Sequence, residues 1–118
     1  MNAVIDKIPA LVEEELETAN VIHSFFHSQH EGYGVLLEEV EEAHAEMIEV
    51  EFKLGQIWSC VKRDYTRMAV EYAQDLERKA IRLAAEAIQV AAMAKKFRSA
   101  SADTTERRLP KGNDQMER

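Results

Sequence analysis

Apolar residues recur at helical spacing in three segments of the chain, separated by two short polar breaks. The first segment runs from about Lys7 to Ser28; Asp6 can cap a helix there, and Pro9 falls in the first turn, where its missing N–H is harmless. Gly32 and Gly34 then interrupt the pattern, because glycine costs helix stability and permits a turn. The pattern predicts an N-terminal helix followed by a break.

The second and third segments are longer and predict two long helices. One runs from about Tyr33 to Lys62 and the other from about Tyr65 to Phe97, with Asp64 available as the N-cap of the third helix. The apolar stripe predicted for the second helix comprises Leu36, Val40, Ala43, Met47, Leu54, Trp58 and Val61. We therefore expect an all-α domain over residues 1–98, built from a long antiparallel helix pair and the N-terminal helix.

Residues 99–118 contain few large apolar side chains and include Pro110 and Gly112, which predicts a flexible C-terminal tail. Three helices in so short a chain cannot bury both long stripes, since small domains hide a modest fraction of their surface. We therefore expect an oligomerising helical bundle, a homodimer or a homotetramer.

The composition supports a helical protein and narrows its class. Only four glycines and two prolines leave few of the residues that form β-turns. The single cysteine, Cys60, excludes an intrachain disulfide, and no apolar run approaches the roughly 18 residues of a membrane span. The N-terminus lacks the basic-then-apolar order of a signal peptide. We expect a cytoplasmic protein that does not enter the membrane.

Charge is distributed unevenly along the chain. Residues 8–52 carry twelve acidic residues and no lysine or arginine, whereas residues 53–98 carry ten basic and five acidic residues. The net charge of −7 argues against binding to a nucleic-acid polymer. Because like charges at i,i+4 destabilise a helix, the acidic half needs basic residues from another helix, a bound cation, or both.

Glu38, Glu39 and Glu42 form an EExxE pattern in the second helix. A spacing of three places Glu39 and Glu42 on adjacent turns of the same side, so both carboxylates can reach one hard cation such as Mg²⁺. Glutamate is also common on solvated helix surfaces, which is the alternative interpretation of this pattern.

Glu86 is the only charged residue between Arg82 and Lys95, and it falls on the apolar side of the third helix. A carboxylate there has to be neutral, paired or metal-bound, because an isolated buried charge is costly. A solvated groove is the alternative.

The position of the turn between the long helices decides whether these carboxylates meet. If the chain reverses near residue 64, Glu86 and Gln89 lie level with Glu39 and Glu42. A reversal at Gly55 would instead place Glu86 roughly 27 Å beyond the level of Glu42.

Two segments, HEGYGVLLEEVEEAHAEM (30–47) and IRLAAEAIQVAAMAKKF (81–97), resemble the phage and prophage-type branch of the MazG-like all-α nucleoside triphosphate pyrophosphohydrolases. The resemblance covers roughly residues 22–98. Members of that superfamily pair an EExxE helix with an ExxD helix to bind Mg²⁺, and they cleave NTPs or dNTPs to the monophosphate and pyrophosphate. The resemblance implies a MazG-like fold, Mg²⁺ as the cofactor and a nucleoside triphosphate as the substrate.

Carried over residue by residue, Glu38, Glu39 and Glu42 match the first motif and Glu86 matches the first position of the second. If the protein is an enzyme, Glu39, Glu42 and Glu86 would bind the metal, and Glu38 or a neighbour would position the catalytic water. Gln89 stands where the second motif has aspartate. An amide oxygen can ligate Mg²⁺ but brings no negative charge, so one metal would be held less tightly and a second could be lost. The alternative function is therefore a catalytically impaired relative that binds nucleotide or metal, or acts as an interaction module.

If the protein is an enzyme, Lys79 and Arg82 are the candidates for binding phosphates, and Trp58 and Tyr33 are the candidates for stacking on the base. Each also has a simpler interpretation, as an exposed cation or a core aromatic residue.

A further metal site, a di-iron centre, is suggested by Glu41 and His44, which have the ExxH spacing of carboxylate-bridged bundles. Such a site needs a second ExxH and further glutamates, which only dimerisation would supply. The simpler interpretation makes His23 a hydrogen-bonded core residue, and His27, His30 and His44 surface or interface residues.

Overall fold

The structure of the protein, a computed structural model, describes residues 3–22 and 25–108, with side chains described as far as Ala100. A short 3₁₀ helix (Ile5–Lys7) leads into α1 (Ile8–Ile22), which is followed by α2 (Gln29–Lys62) and α3 (Thr66–Arg108). The described residues include no strand, and none of their helices combines the length and hydrophobicity needed to cross a bilayer. The prediction of an all-α chain with two long helices packed together is confirmed.

Helices α2 and α3 form an antiparallel hairpin. Among the α2 residues of restricted exposure, eight follow one another at alternating spacings of three and four, as in a coiled coil. They are Leu36, Glu39, Ala43, Glu46, Val50, Lys53, Ile57 and Cys60. We call this row the α2 seam.

Ion pairs join the two helices of the hairpin. Arg82 Nε donates to Glu46 Oε2 at 3.1 Å, and Lys79 Nζ lies 3.9 Å from Glu49 Oε1. The expectation that basic residues of another helix offset the acidic helix is confirmed for these two pairs. A third pair runs in the opposite sense, because Lys53 Nζ of α2 lies 3.7 Å from Asp75 Oδ2 of α3.

The predicted apolar stripe of α2 only partly coincides with the α2 seam. Leu36 and Ala43 belong to the seam, but the other five residues of that stripe each expose 42–58% of their surface: Val40, Met47, Leu54, Trp58 and Val61. The single predicted stripe was therefore wrong. Apolar residues cover an arc of α2 that is wider than α3 can bury. The α2 seam also includes charged residues that form ion pairs with residues of α3.

The turn between the long helices lies where the sequence predicted it, and a Schellman motif closes it. Tyr65 N–H donates to Cys60 C=O at 2.9 Å, and Asp64 N–H donates to Val61 C=O at 3.2 Å. Asp64 has φ 60°, the left-handed conformation that ends a helix. Asp64 therefore terminates α2 and is not the N-cap of α3, because an N-cap residue has extended backbone angles.

The first break in the chain lies earlier than predicted. Helix α1 ends at Ile22, and α2 begins at Gln29, four residues before the predicted start. Ser28 has an extended backbone, and its side chain accepts a hydrogen bond from Glu31 N–H at 3.0 Å, so it caps α2.

Gly32 and Gly34 consequently lie inside α2, which corrects the predicted glycine turn. A Cβ atom at Gly32 would lie 2.6 Å from Cδ1 of Phe97 and 3.0 Å from Cδ2 of Phe26. The glycine at this position allows α3 and the α1–α2 connection to approach α2 closely.

Helix α1 packs on α3. Within the described residues, the backbone of α1 does not come close to that of α2. Lys95 of α3 pairs with Glu13 of α1. Helix α3 continues to Arg108, beyond the predicted end at Phe97, so residues 99–108 of the predicted tail are helical. Residues 109–118 lie outside the described part of the chain.

Candidate metal centre

Three carboxylates from the two long helices converge across the hairpin. Glu39 and Glu42 lie one turn apart on α2, and Glu86 reaches them from α3. One oxygen from each side chain can be chosen so that all three lie within 4.8 Å of one another. We call this group the Glu39–Glu42–Glu86 cluster. The turn at residues 63–65 sets the register that brings the cluster together.

The cluster disfavours three negative charges when it holds no cation. Burial raises the pKa of Glu39 above its usual value of 4.5, and the charges of Glu42 and Glu86 raise it further. Burial likewise raises the pKa of Glu86, as do the charge of Glu42 and a hydrogen bond between these two carboxyl groups. Burial and like charge thus favour a protonated carboxyl group in the cluster, and a bound cation would offset the same charges.

Oxygen atoms in the cluster also lack partners. Oε1 of Glu39 and Oε1 of Glu86 are each inaccessible to solvent and accept no hydrogen bond within the described residues. Mg²⁺ binds oxygen ligands at about 2.1 Å with octahedral geometry, which separates neighbouring ligand oxygens by about 3.0 Å. Closing the three oxygens onto one ion needs shifts of roughly an ångström or two, which rotation about glutamate side-chain bonds supplies. The donor set therefore fits a hard divalent cation.

A fourth carboxylate, which the sequence analysis did not single out, approaches from α1. Gln89 Nε2 donates a hydrogen bond to Glu15 Oε2 at 3.3 Å, and the charge of Glu15 is one of those that raise the pKa of Glu39. Glu15 is one of four acidic residues between positions 13 and 17. Nothing in the sequence separates it from the other three, because only the docking of α1 on α3 selects it.

The remaining predicted acidic and amide residues lie around the cluster. Glu38 is exposed on α2, and its charge also raises the pKa of Glu39. Gln89 lies one turn from Glu86, with its amide nitrogen directed to Glu15. The roles of Glu38 as the catalytic residue and of Gln89 as a metal ligand stay predictions.

The structure places the predicted substrate-binding residues at different distances from the cluster. Arg82 and Lys79 lie about 6 Å and 10 Å along α3 from Glu86 by helix rise, each paired with a glutamate of α2. Tyr33 is exposed about 9 Å along α2 from Glu39, whereas Trp58 lies about 28 Å away. A single chain therefore brings Arg82 and Lys79 near the level of the cluster and leaves Trp58 at the far end of the hairpin. By helix periodicity Tyr33 lies about 120° around α2 from Glu39.

The histidines that the structure describes lie apart from the cluster. No described histidine joins a group of three or more candidate ligands. His44 is exposed on α2, and His27 Nδ1 lies 3.2 Å from Glu31 Oε1, while His23 lies outside the described residues. The described residues thus supply no second ExxH element for a di-iron centre.

The fold and the cluster together define an all-α hairpin that carries three converging carboxylates across its seam. Comparisons with protein-family models, curated proteins and solved structures find no match.

Proposed function

We propose that this protein is a Mg²⁺-dependent nucleoside triphosphate pyrophosphohydrolase of the MazG-like type. One observation carries the proposal: Glu39, Glu42 and Glu86 come from two helices and converge to within 4.8 Å, with unpaired buried oxygens on two of them. These are the residues that the resemblance to MazG-like enzymes assigns to the metal. Mg²⁺ in this position would offset the charge repulsion within the cluster.

The proposed reaction is attack of water on the α-phosphorus of an NTP or dNTP. The α–β phosphoanhydride bond breaks, and the products are the nucleoside monophosphate and pyrophosphate. Glu39, Glu42 and Glu86 would hold Mg²⁺, which when bound would supply charge neutralisation at the phosphate oxygens. Glu38 orients the water and accepts its proton. Arg82 and Lys79 exchange their α2 glutamates for the charged phosphates, and Tyr33 stacks against the base.

Glu15 supplies the negative charge that Gln89 does not bring. The amide of Gln89 holds Glu15 beside the cluster, so α1 delivers a fourth carboxylate to a site otherwise built by α2 and α3. In this arrangement Gln89 acts by orienting Glu15, and the loss of an aspartate from the second motif is offset by a residue distant in sequence.

The decisive experiment measures monophosphate and pyrophosphate release from each of the four dNTPs and four NTPs with Mg²⁺. We expect hydrolysis of at least one substrate, with a loss of at least about 100-fold in Glu42→Gln and in Glu86→Gln, because metal ligation supplies several kcal/mol of transition-state stabilisation. Glu41→Gln is the matched control, since Glu41 is an exposed neighbour outside the cluster. No release from any substrate by the folded wild-type protein would overturn catalysis.

The second candidate function is binding of Mg²⁺ or of a nucleotide without turnover. The observation that favours it is the neutral side chain of Gln89, whose amide nitrogen already donates to Glu15. Calorimetric titration with Mg²⁺, and with a nucleotide in its presence, would identify this function if binding occurs without product release. Glu86→Gln should abolish the Mg²⁺ signal under either function.

A further inference from the structure

Helix α2 carries a second row of apolar side chains beside the α2 seam, and no described part of the chain covers it. Its members follow the alternating three-and-four spacing of a helix–helix contact, with His44 and Glu51 at the two positions between them. They are Leu37, Val40, Met47, Leu54, Trp58 and Val61, each of which is at least 41% exposed. We call this row the outer stripe.

The described part of the hairpin buries little apolar surface of its own. Among its apolar residues only Cys60, Ala92 and Met93 are buried. The described residues include no fully buried large side chain, so the hairpin alone has a thin core.

The charges beside the outer stripe favour antiparallel packing of two α2 helices. Glu41 lies beside the N-terminal end of the stripe, and Lys62 lies beside its C-terminal end. A parallel copy would set like charges against like charges, whereas an antiparallel copy sets the acidic end of each helix against the basic end of the other. A two-fold axis makes both ends complementary at once.

We propose that the outer stripe is the interface between two copies of this chain, packed antiparallel about a two-fold axis near residue 49. In that register Val40 lies level with Trp58 of the second copy, and Leu37 lies level with its Val61. His44 lies within about one helical turn, 5.4 Å, of Glu51 in the other copy, so the two polar members of the stripe also have partners. The contact runs about 36 Å along α2 from Leu37 to Val61.

The same register places Trp58 of the second copy one residue from the level of Glu39. Trp58 is distant from the Glu39–Glu42–Glu86 cluster within one chain, and it returns to the neighbourhood of that cluster only across the interface. The proposal stands on the outer stripe and its flanking charges, and it does not require the cluster to be catalytic.

The first test is the mass of the full chain in solution by light scattering during size exclusion. We expect a dimer or a higher even oligomer at micromolar concentration, and at least a 100-fold increase in the dissociation constant for Met47→Glu with Leu54→Glu. Val70→Glu is the matched control: Val70 is 54% exposed on α3, compared with 58% for Leu54. Far-UV circular dichroism checks that each variant stays helical. A monomeric wild type, or equal weakening by the control, would overturn the proposal.

The second test measures the packing direction without disturbing the stripe. In a Cys60→Ala background, a spin label on an introduced cysteine at Ala45 or at Gly34 reports the distance between the two copies. An axis near residue 49 separates the two Ala45 positions by about 12 Å along the helices and the two Gly34 positions by about 45 Å. A parallel pair would give similar short distances at both positions, and that result would overturn the proposal even if the stripe variants failed to fold.

Discussion

The side-chain amide of Gln89 donates a hydrogen bond to the carboxylate of Glu15 at 3.3 Å, joining α3 to α1 beside the acidic cluster. This contact gives Gln89 a structural role beside the proposed metal site. A glutamine has a donor, which an ionised aspartate lacks, and it can therefore hold another carboxylate in place. The charge of the site then depends on the N-terminal helix as well as on the hairpin.

Glu15→Gln should weaken Mg²⁺ binding by about 10-fold, the lower end of the loss observed when a residue supporting a metal site is removed. The reason is that the cluster loses a nearby negative charge without losing a ligand of α2 or α3. Calorimetric titration with Mg²⁺ measures the effect. Glu14→Gln is the control, because Glu14 is an exposed neighbour on α1. Equal affinities of the two variants would show that Glu15 does not act on the site.

The pH dependence of stability should reveal the charge repulsion in the cluster. Because the pKa values of Glu39 and Glu86 are raised on folding, the native state binds more protons than the unfolded state at pH values above about 4.5. The metal-free protein should therefore lose stability as the pH rises from about 4.5 towards neutrality, by on the order of 0.5 kcal/mol for each like-charge contact.

The measurement is urea unfolding without metal at several pH values, for the wild type and for Glu86→Gln. The variant keeps a neutral side chain at every pH, so it should be more stable than the wild type near pH 7, with the difference shrinking as the pH falls. Saturating Mg²⁺ should stabilise the wild type near pH 7 and leave the variant nearly unchanged. A variant that is less stable than the wild type at neutral pH without metal would contradict the repulsion.

The sequence predicted the register of the hairpin and the meeting of Glu39, Glu42 and Glu86, since these depend on helix geometry and on one turn. It did not predict which face of α2 meets α3. Hydrophobicity alone ranks Val40 and Met47 above Glu46 and Lys53, yet the latter two lie in the α2 seam because α3 offers Arg82 and Asp75 as partners. Glu15 was missed for a related reason, because its position is set by packing between helices that are distant in sequence.

Asp64→Gly should stabilise the turn that sets the register of the cluster. Asp64 has φ 60°, which costs about 1 kcal/mol for a residue with a Cβ atom and nothing comparable for glycine. We expect a gain of up to about 1 kcal/mol by urea unfolding. Glycine at the preceding residue, Arg63→Gly, is the control: its φ is −105°, so glycine there brings only added freedom in the unfolded chain and should destabilise. A loss of stability in Asp64→Gly would show that the aspartate side chain contributes more than its backbone strain costs.

Two glycines that lie two positions apart in the first turns of α2, Gly32 and Gly34, should respond in opposite directions to alanine. A Cβ atom at Gly32 would lie 2.6 Å from the ring of Phe97, whereas one at Gly34 would meet nothing within 4 Å. Gly32→Ala should therefore destabilise the protein by about 1–3 kcal/mol, because the rings of Phe97 and Phe26 must move. Gly34→Ala should stabilise it by about 0.5–1 kcal/mol, because alanine favours the helix and its Cβ atom meets no neighbouring atom.

Thermal and urea unfolding of both variants measure the two effects in the same helix, so helix propensity cancels in the comparison. Equal changes of the same sign would mean that α3 does not approach α2 closely at Gly32.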